Sequence, residues 1–509
     1  MEDYTFKTLI ISFTLLVLHV TIKFVYSIWW RPKSMEKVLR LQGIRGTSYK
    51  FLKGDMPEMM KSSQEASSKP MSLNHQIVPR VIPFLHQMVE QYGKISLFWF
   101  GRTPSLLIGD AELVRFILAN KNGHFIKPPR NPLVNLLHMG VANLDGEIWS
   151  KRRRIVESAF LLQKLKAMVP AISSSCCSLI KRWQEQVKAQ GSCEVDVFPE
   201  LGVLSSDVIA RTAFGSSYEE GKKIFELQHE QTLLMREAYL TIYIPGFRFI
   251  PTRNNKRRYQ IRNEINAILR EMIQSKKHAM KTGSLKNHDL LSLLLQCTEE
   301  SNSSLTIDDV IEECKLFYFA GQETTANLLT WTMIVLSMHQ NWQEKAREEV
   351  FQICGKTTPD LEAINRLKIV TMVLHEVLRL YPPVPYIQRY TECETKIGSM
   401  TIPAGVELDL PFMLLHYDRR YWDNPEMFNP ERFSKGVSNA SHDQIAFYTF
   451  GWGPRICLGQ NFALIEAKMA LAMILQHFSF QLSPSYAHAP RNFVTLKPQH
   501  GAPIILNCI

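Results

Sequence analysis

The chain has 509 residues, 45% of them hydrophobic, and a formal net charge of +11 at pH 7. That length is ample for a large core, and no linker splits the chain, so it reads as one large domain behind an N-terminal anchor. The basic residues are spread out and no nucleic-acid-binding motif appears, which favours a basic face for an acidic partner or an anionic membrane over nucleic acid.

Residues 1–30 begin with Glu2 and Asp3, then carry an apolar run over 8–22 that resumes at 24–30 after Lys23. Together these are long enough to span a bilayer, roughly 20 residues. Lys23 lies near one end, where it can snorkel, with Trp29 and Trp30 as interfacial anchors. Arg31, Lys33, Lys37 and Arg40 follow, so the positive-inside rule places the N-terminus in the lumen and the rest in the cytosol. A cleaved signal peptide is the alternative, but no small-residue cleavage site follows the run. Residues 31–55 read as a basic connector started by Pro32, and 56–509 as the remaining domain. The nine cysteines are scattered, with no C-x-x-C, which argues against a disulfide framework and a zinc site and for a reducing compartment. The sequons at Asn302 and Asn439 would stay unmodified on the cytosolic side.

Residues 76–118 mix a helical pattern (78–92) with short strands (95–99 and 105–108). Residues 125–141 form a loop with Pro, Asn and apolar residues. From 142 to 298 the pattern is mainly helical, starting with the basic run Trp149-Ser150-Lys151-Arg152-Arg153-Arg154. Lys151, Arg152 and Arg154 read as solvated or as facing a partner. Residues 239–252 interrupt the helices with aromatics, isoleucines and prolines, and four basic residues follow in 253–258. An apolar loop beside a basic cluster suggests a second membrane contact, with a partly buried loop beside a solvated charge run as the alternative.

Residues 305–339 read as a long helix with Asp308 and Asp309 at its N-terminus. Inside it stands Ala320-Gly321-Gln322-Glu323-Thr324-Thr325. A glycine in a helix interior costs about 1 kcal/mol relative to alanine. Ala320 and Gly321 therefore read as a small-residue face for a flat cofactor. Thr324 and Thr325 can bond the carbonyl four residues back and bend the helix, widening it for dioxygen and a water. Glu323 and Thr324 then read as a catalytic proton relay from solvent. Further on, Glu376 and Arg379 lie three apart on one helical face among leucines and valines, a pair whose burial asks for further hydrogen bonds. Arg432 can supply them.

Near the C-terminus comes Phe450-Gly451-Trp452-Gly453-Pro454-Arg455-Ile456-Cys457-Leu458-Gly459, followed by a helix over 462–475 and strands at 478–482 and 503–507. Such a loop holds one sulfur rigidly and keeps bulk from one side of it. N–H groups at the next helix start, and Arg455, favour its thiolate form. A thiolate held this way suits the fifth position of haem iron, and its electron donation favours O–O cleavage. A buried, inert cysteine is the plain alternative.

The pattern Phe-x-x-Gly-x-Arg-x-Cys-x-Gly, with Glu323-Thr324 and the Glu376/Arg379/Arg432 set, resembles the cytochrome P-450 haem-thiolate monooxygenases. Residues 41–46 look like the segment following the anchor in plant microsomal members, in the clan that oxidises hormones and terpenoids. The resemblance implies a mainly α fold with a small β portion behind a transmembrane helix. It implies haem b with Cys457 as metal ligand, and Phe450 and Gly459 in the cofactor loop. It assigns Trp149, Arg153, Arg389 and Arg455 to the haem propionates, which need cationic partners. It gives Glu376, Arg379 and Arg432 the structural task of holding the cysteine loop, and it makes residues 125–141 a cover over the substrate.

The implied reaction inserts one oxygen atom of dioxygen into a lipophilic substrate, such as a terpenoid or steroid-like metabolite or hormone. No flavin or nicotinamide motif is present, so the family points to an NADPH-dependent flavoprotein reductase as electron donor, at the endoplasmic reticulum membrane. Residues 317, 320, 325, 384–387 and 493–496 are candidate pocket positions, mainly apolar. Two rivals stand beside this reading. One is a haem-thiolate enzyme that rearranges or dehydrates its substrate without dioxygen; the other is a non-catalytic haem-binding membrane protein.

Overall fold

The apolar N-terminal run folds as one helix, Glu2–Val25, in this computed structural model, which describes residues 2–282, 289–299, 305–442 and 446–509. The helix does not end where a connector was expected. A single π-helical turn, Tyr26–Trp30, carries it into Arg31–Leu41. Pro32 causes no break because it falls in the first turn after the π segment, where a missing N–H is tolerated. Residues 4–41 are the one stretch, among those described, long and apolar enough to cross a membrane, and none of its most apolar window is buried. The second half of this rod is packed differently. Ile28, Pro32, Glu36 and Leu39 are buried, Tyr49 donates to the Ile28 carbonyl at 2.5 Å, and Glu36 pairs with Lys33 and Arg40.

Helix makes up 61% of the structure and strand 11%, the mainly α composition expected. The predicted elements form with small shifts. The 78–92 helix is split by Pro83 into Val78–Val81 and Pro83–Tyr92, and the strands run Ile95–Phe100 and Thr103–Ile108. A six-stranded sheet takes, in order across it, Arg45–Gly46, Ile95–Phe100, Thr103–Ile108, Glu407–Leu410, Ile387–Thr391 and Phe125–Ile126. In it Gln388 stands opposite Asp409, and Arg389 opposite Leu408. A second sheet pairs Phe478–Leu482 with Pro503–Cys508 and Ser192–Asp196. A hairpin, Pro490–Phe493 with Thr495–Pro498, turns at Val494 with φ 66°. The Asn302 sequon and residues 283–288 within the helical stretch lie outside the described residues.

The core is built on the helix Ile307–Met338. Thr306 caps it: its hydroxyl accepts from the Asp309 N–H at 3.1 Å, while the Asp309 carboxylate accepts from the Thr306 N–H at 2.9 Å. This central helix packs against Val197–Ile209, Lys368–Leu380 and the cysteine helix Gln460–His477. Along it, residues 313–318 and 325–337 are buried, but 319–324 are only half-buried. A helix enclosed on all sides that is open only at this stretch borders an interior space there.

Candidate active site

Cys457 ends a turn that the backbone fixes tightly. Its N–H donates to the Phe450 carbonyl at 2.9 Å, and Gly451 N–H donates to Tyr448 O at 2.7 Å. Gly451 and Gly453 have φ of 73° and 69°. At Gly453 a Cβ would stand 2.4 Å from the Leu118 carbonyl oxygen, so only glycine lets the loop lie this close to its neighbour. Gly459 is the N-cap residue of the cysteine helix, and its N–H is directed at the Cys457 sulfur. The Cys457 side chain has open surface, yet protein surrounds it, so it faces an enclosed space rather than bulk solvent. Burial raises the thiol above its ordinary pKa; the Gly459 N–H and the Arg153 guanidinium pull it down without overcoming that. The cation acting on the sulfur is thus Arg153, not Arg455. A metal ion held by this sulfur would deprotonate it outright.

A fully buried pair fastens the segment 416–432 that leads to the loop. Arg379 Nη2 donates to Glu376 Oε1 at 2.7 Å and Nε to Oε2 at 2.8 Å. Its remaining donors go to the carbonyls of His416, Pro425 and Met427, and Arg432 Nε reaches Glu376 Oε1 at 3.4 Å. Asn429 N–H completes the carboxylate at 2.9 Å. Such closure is what a desolvated ion pair requires. Leu378, from the same helix, accepts the Thr449 hydroxyl at 3.0 Å, one residue before Phe450.

Beside the cysteine, cations gather. Arg153 donates to the Ile456 carbonyl at 2.9 Å, and the Arg455 guanidinium lies 4.3 Å above the Trp149 ring while bonding Asp145. Arg389 is buried with no carboxylate in contact among the described residues; burial, then repulsion from Arg455, lowers its pKa to about 10. Sequence reasoning missed Lys127, which belongs to the same group. Burial and then Arg389 and Arg455 push its ammonium well below the ordinary range, against the pull of Asp145. A lysine in a long loop carries no spacing signal. Lys127, Arg153, Arg389 and Arg455 thus face Asp145 and, through Arg153 alone, Glu157. Arg153, Arg389 and Arg455 alone outnumber these two carboxylates.

Several expectations are corrected here. Arg152 is not solvated: it is 6% exposed, and bonds Glu313 at 3.0 Å and Asp309 at 2.9 Å on the central helix. Glu313 also accepts the Val141 N–H at 2.9 Å, so one buried acid joins the basic helix, the central helix and the end of the 125–141 loop. Lys151 and Arg154 do face outward. Gly321 does not offer a cofactor face. A Cβ there would meet Ile209 Cγ1 at 2.6 Å, so its role is close packing of two helices. Nor is the helix widened: Ile307–Met338 is continuous α-helix. Thr324 does bond back, donating to Ala320 O at 2.9 Å, and sits in the half-buried stretch. Glu323 is not free to meet solvent. Lys497 Nζ lies 2.7 Å from Oε2, and the Thr495 hydroxyl donates to the same oxygen at 2.8 Å.

The cytochrome P450 family profile matches residues 70–501. Cytochrome P450 CYP72A616 of Paris polyphylla is 52% identical over 94% of both chains. Cytochrome P450 72A15 of Arabidopsis thaliana is 47% identical, again over 94% of each, and secologanin synthase 1 of Catharanthus roseus is 47% identical over 94% of this chain and 93% of its own. The chain belongs to the cytochrome P450 family, the haem-thiolate monooxygenases, which bind haem b through a cysteine thiolate. The residues present fit that group. One thiol faces the enclosed space, glycines shape its loop, and the arginines beside it outnumber the carboxylates they face, which suits a group with two propionates.

Proposed function

We propose that this protein is a membrane-anchored hydroxylase that uses NADPH-derived electrons and dioxygen to oxidise a lipophilic terpenoid or steroid-like plant metabolite or hormone. The observation that carries the reading is the enclosed Cys457 thiol beside Arg153, Arg389 and Arg455, which outnumber the carboxylates they face. Cys457 is the axial ligand, carried with Phe450 and Gly459 in the cofactor loop, and Trp149, Arg153, Arg389 and Arg455, joined by Lys127, hold the propionates. Haem, when bound, supplies the oxygen-activating chemistry. Thr324 holds a proton at Oγ1 beside the enclosed space, and Glu323, once released from Lys497, passes protons to it. A relative in Catharanthus roseus is named for the synthesis of secologanin, which supports a plant metabolite as substrate.

Residues 1–30 anchor the chain in the endoplasmic reticulum membrane, 31–55 connect, and 56–509 form the cytosolic catalytic domain. The exposed apolar loop with Ile244, Phe249 and Ile250 adds a second membrane contact. A flavoprotein reductase docks on the face that carries Lys151 and Arg154, beside the helix that leads through Arg153 to Cys457. The test is the reduced carbon monoxide difference spectrum of wild type and Cys457→Ser, followed by NADPH consumption with reductase and a terpenoid panel. A thiolate-type Soret band lost in the variant, with product formed only when NADPH and dioxygen are both present, is expected; an unchanged variant spectrum refutes the ligand assignment.

A further inference from the structure

One cavity, of about 540 Å³, has no residue of the cysteine loop or the central helix in its wall. On one side stand the end of the helix Met56–Ser68 and the residues that follow it. On the other stand 486–489, 499 and 500, at the foot of the hairpin that turns at Val494. Arg80 ties the two sides together. Its Nη1 donates to the carbonyls of Ala66 at 2.9 Å and Lys69 at 2.6 Å, and its Nη2 to Ser67 O at 3.3 Å and Gln499 Oε1 at 3.1 Å. Three of these acceptors are carbonyls at a helix end, which lack partners within the helix. The guanidinium thus frames the space, and no carboxylate meets it among the described residues.

Charge in the cavity has one sign. Lys69 and Arg80 line it and no carboxylate does. Lys69 is exposed and makes no ion pair among the described residues. Burial, then Arg491, lowers the Arg80 pKa, so a third cation acts from nearby. Of the acids beside the wall, Glu65 lies 3.8 Å from Lys61, and Asp196, packed behind Gly501, accepts the N–H groups of Phe198 and Ala502. The buried polar residue of the lining is His488, 5% exposed. The Tyr486 hydroxyl lies 2.8 Å from its Nδ1 and has no other acceptor among the described residues, so it donates there and the ring hydrogen sits on Nε2. Nε2 is buried and completes no hydrogen bond. Burial lowers the pKa of the ring to about 4, with the Asn74 carbonyl opposing and Arg80 assisting the fall, so His488 is a neutral donor. A buried N–H short of an acceptor, in a space with two cations and no acid, suits an oxyanion. Met71 and Leu73, the latter 53% exposed, add apolar surface along which an alkyl chain can lie.

The cavity also stands near the anchor. Asp55, the N-cap of the helix Met56–Ser68, donates its N–H to Trp99 O at 2.8 Å, and the Trp99 ring packs 4.9 Å from that of Tyr49, which bonds Ile28 in the rod. The helix has 13 residues, a length of about 20 Å, so the cavity opens about that far from the patch that grips the rod. We propose that it binds a phosphate group, with Lys69 and the Nε2–H of His488 as contacts and Arg80 as the frame. A phospholipid headgroup supplies that group to an anchored protein; a soluble phosphate is the other source. The site is separate from the oxidation chemistry and does not depend on it.

The experiment is isothermal titration calorimetry on the full-length haem-loaded protein in a non-ionic detergent, with haem content as the check on folding of each variant. The probes are dihexanoyl phosphatidic acid, dihexanoylglycerol, which lacks the phosphate, and inorganic phosphate. Phosphatidic acid is expected to bind saturably at one site per chain, and dihexanoylglycerol not to bind. Lys69→Glu is expected to weaken phosphatidic acid about ten-fold or more. Lys396→Glu, an equal change of charge at an exposed residue outside the cavity, is expected to leave it unchanged. His488→Phe keeps a ring beside Trp331 but removes the N–H, and is expected to weaken binding several-fold. Inorganic phosphate that binds as tightly as phosphatidic acid, with the same dependence on Lys69, supports the site and assigns it to a soluble phosphate; weaker binding supports it and assigns it to a lipid. Equal binding of phosphatidic acid and dihexanoylglycerol overturns the proposal. So does equal weakening by Lys69→Glu and Lys396→Glu, undiminished binding in both Lys69→Glu and His488→Phe, or no binding of either phosphate probe.

Discussion

Lys497 and Glu323 form a two-pronged ion pair, with Nζ 2.8 Å from Oε1 and 2.7 Å from Oε2. The pair fastens the hairpin that turns at Val494 to the middle of the central helix. Asn327, donating to Thr495 Oγ1 at 3.1 Å, and Trp331, donating to Leu496 O at 3.0 Å, extend the same seam. Both charged side chains are largely buried, so removing one strands the other. Lys497→Met is expected to destabilise the protein by about 3 kcal/mol. Adding Glu323→Gln should cost less than the two single changes summed, in a double-mutant cycle of denaturant unfolding. Strict additivity would show that the two charges do not interact.

Gly321→Ala sets two effects against each other. Alanine gains about 1 kcal/mol of helix propensity, but its methyl meets Ile209 at 2.6 Å, and overpacking costs about 1–3 kcal/mol. A net loss is expected, and the same change should cost less in an Ile209→Ala background, where the overlap is gone. Thermal melts of the three variants decide it; a Gly321→Ala protein more stable than wild type contradicts the packing role.

Arg379→Lys is expected to fail although it keeps the charge. Lysine cannot reproduce the fork on Glu376 while also serving three carbonyls. Leaving a buried carboxylate short of partners costs about 3–5 kcal/mol. The protein should accumulate poorly and lose the thiolate-type carbon monoxide spectrum. Retention of normal haem content in this variant would falsify the supporting role assigned to the pair.

Thr324→Ala should leave the fold intact, because the hydroxyl's bond to Ala320 O is local and the helix continues on both sides. The expected change is in coupling, with NADPH electrons appearing as hydrogen peroxide instead of product. Peroxide and product are assayed together, and fully coupled turnover removes Thr324 from proton delivery.

Acid stability follows from His416. Its Nδ1 lies 3.0 Å from the Arg379 carbonyl and its Nε2 accepts the Tyr448 N–H at 3.2 Å, which fixes a neutral ring with one donor and one acceptor. Burial, with Arg379 nearby, lowers its pKa to about 3 from an ordinary 6.5. The unfolded chain therefore binds a proton that the folded chain refuses. The stability this gives is complete above pH 6.5 and is lost as pH falls toward 3. His375, lowered to about 4 by burial, acts in the same sense. Melting temperature is expected to fall steadily below pH 6.5; a flat profile down to pH 4.5 would contradict it.

The cysteine loop, the Glu376–Arg379 pair and the central helix were legible in the sequence because each is specified by residues close together in the chain. The rest is set by partners more than a hundred residues away. Which of Arg152, Arg153 and Arg154 turns inward depends on where the central helix places Glu313. Gly321 could be read as a cofactor face only while Ile209 was unplaced. The ion pair that holds Glu323 was not legible because Lys497 and Thr495 arrive from a hairpin near the C-terminus. Lys127 lies in a loop whose pattern has no period, so nothing local marks it.

The rod over residues 4–41 has a geometric consequence. It passes from its bare apolar half to its packed half through a helical turn, not a hinge, and the packed half is fixed to the body by Leu39, Glu36 and the Tyr49–Ile28 bond. Orientation is therefore transmitted like torque along a shaft. One residue inserted between Val25 and Arg31 would rotate the body by about 100° about the shaft, relative to the apolar half. Seven inserted residues, close to two turns, would restore the facing and lift the body by about 10 Å.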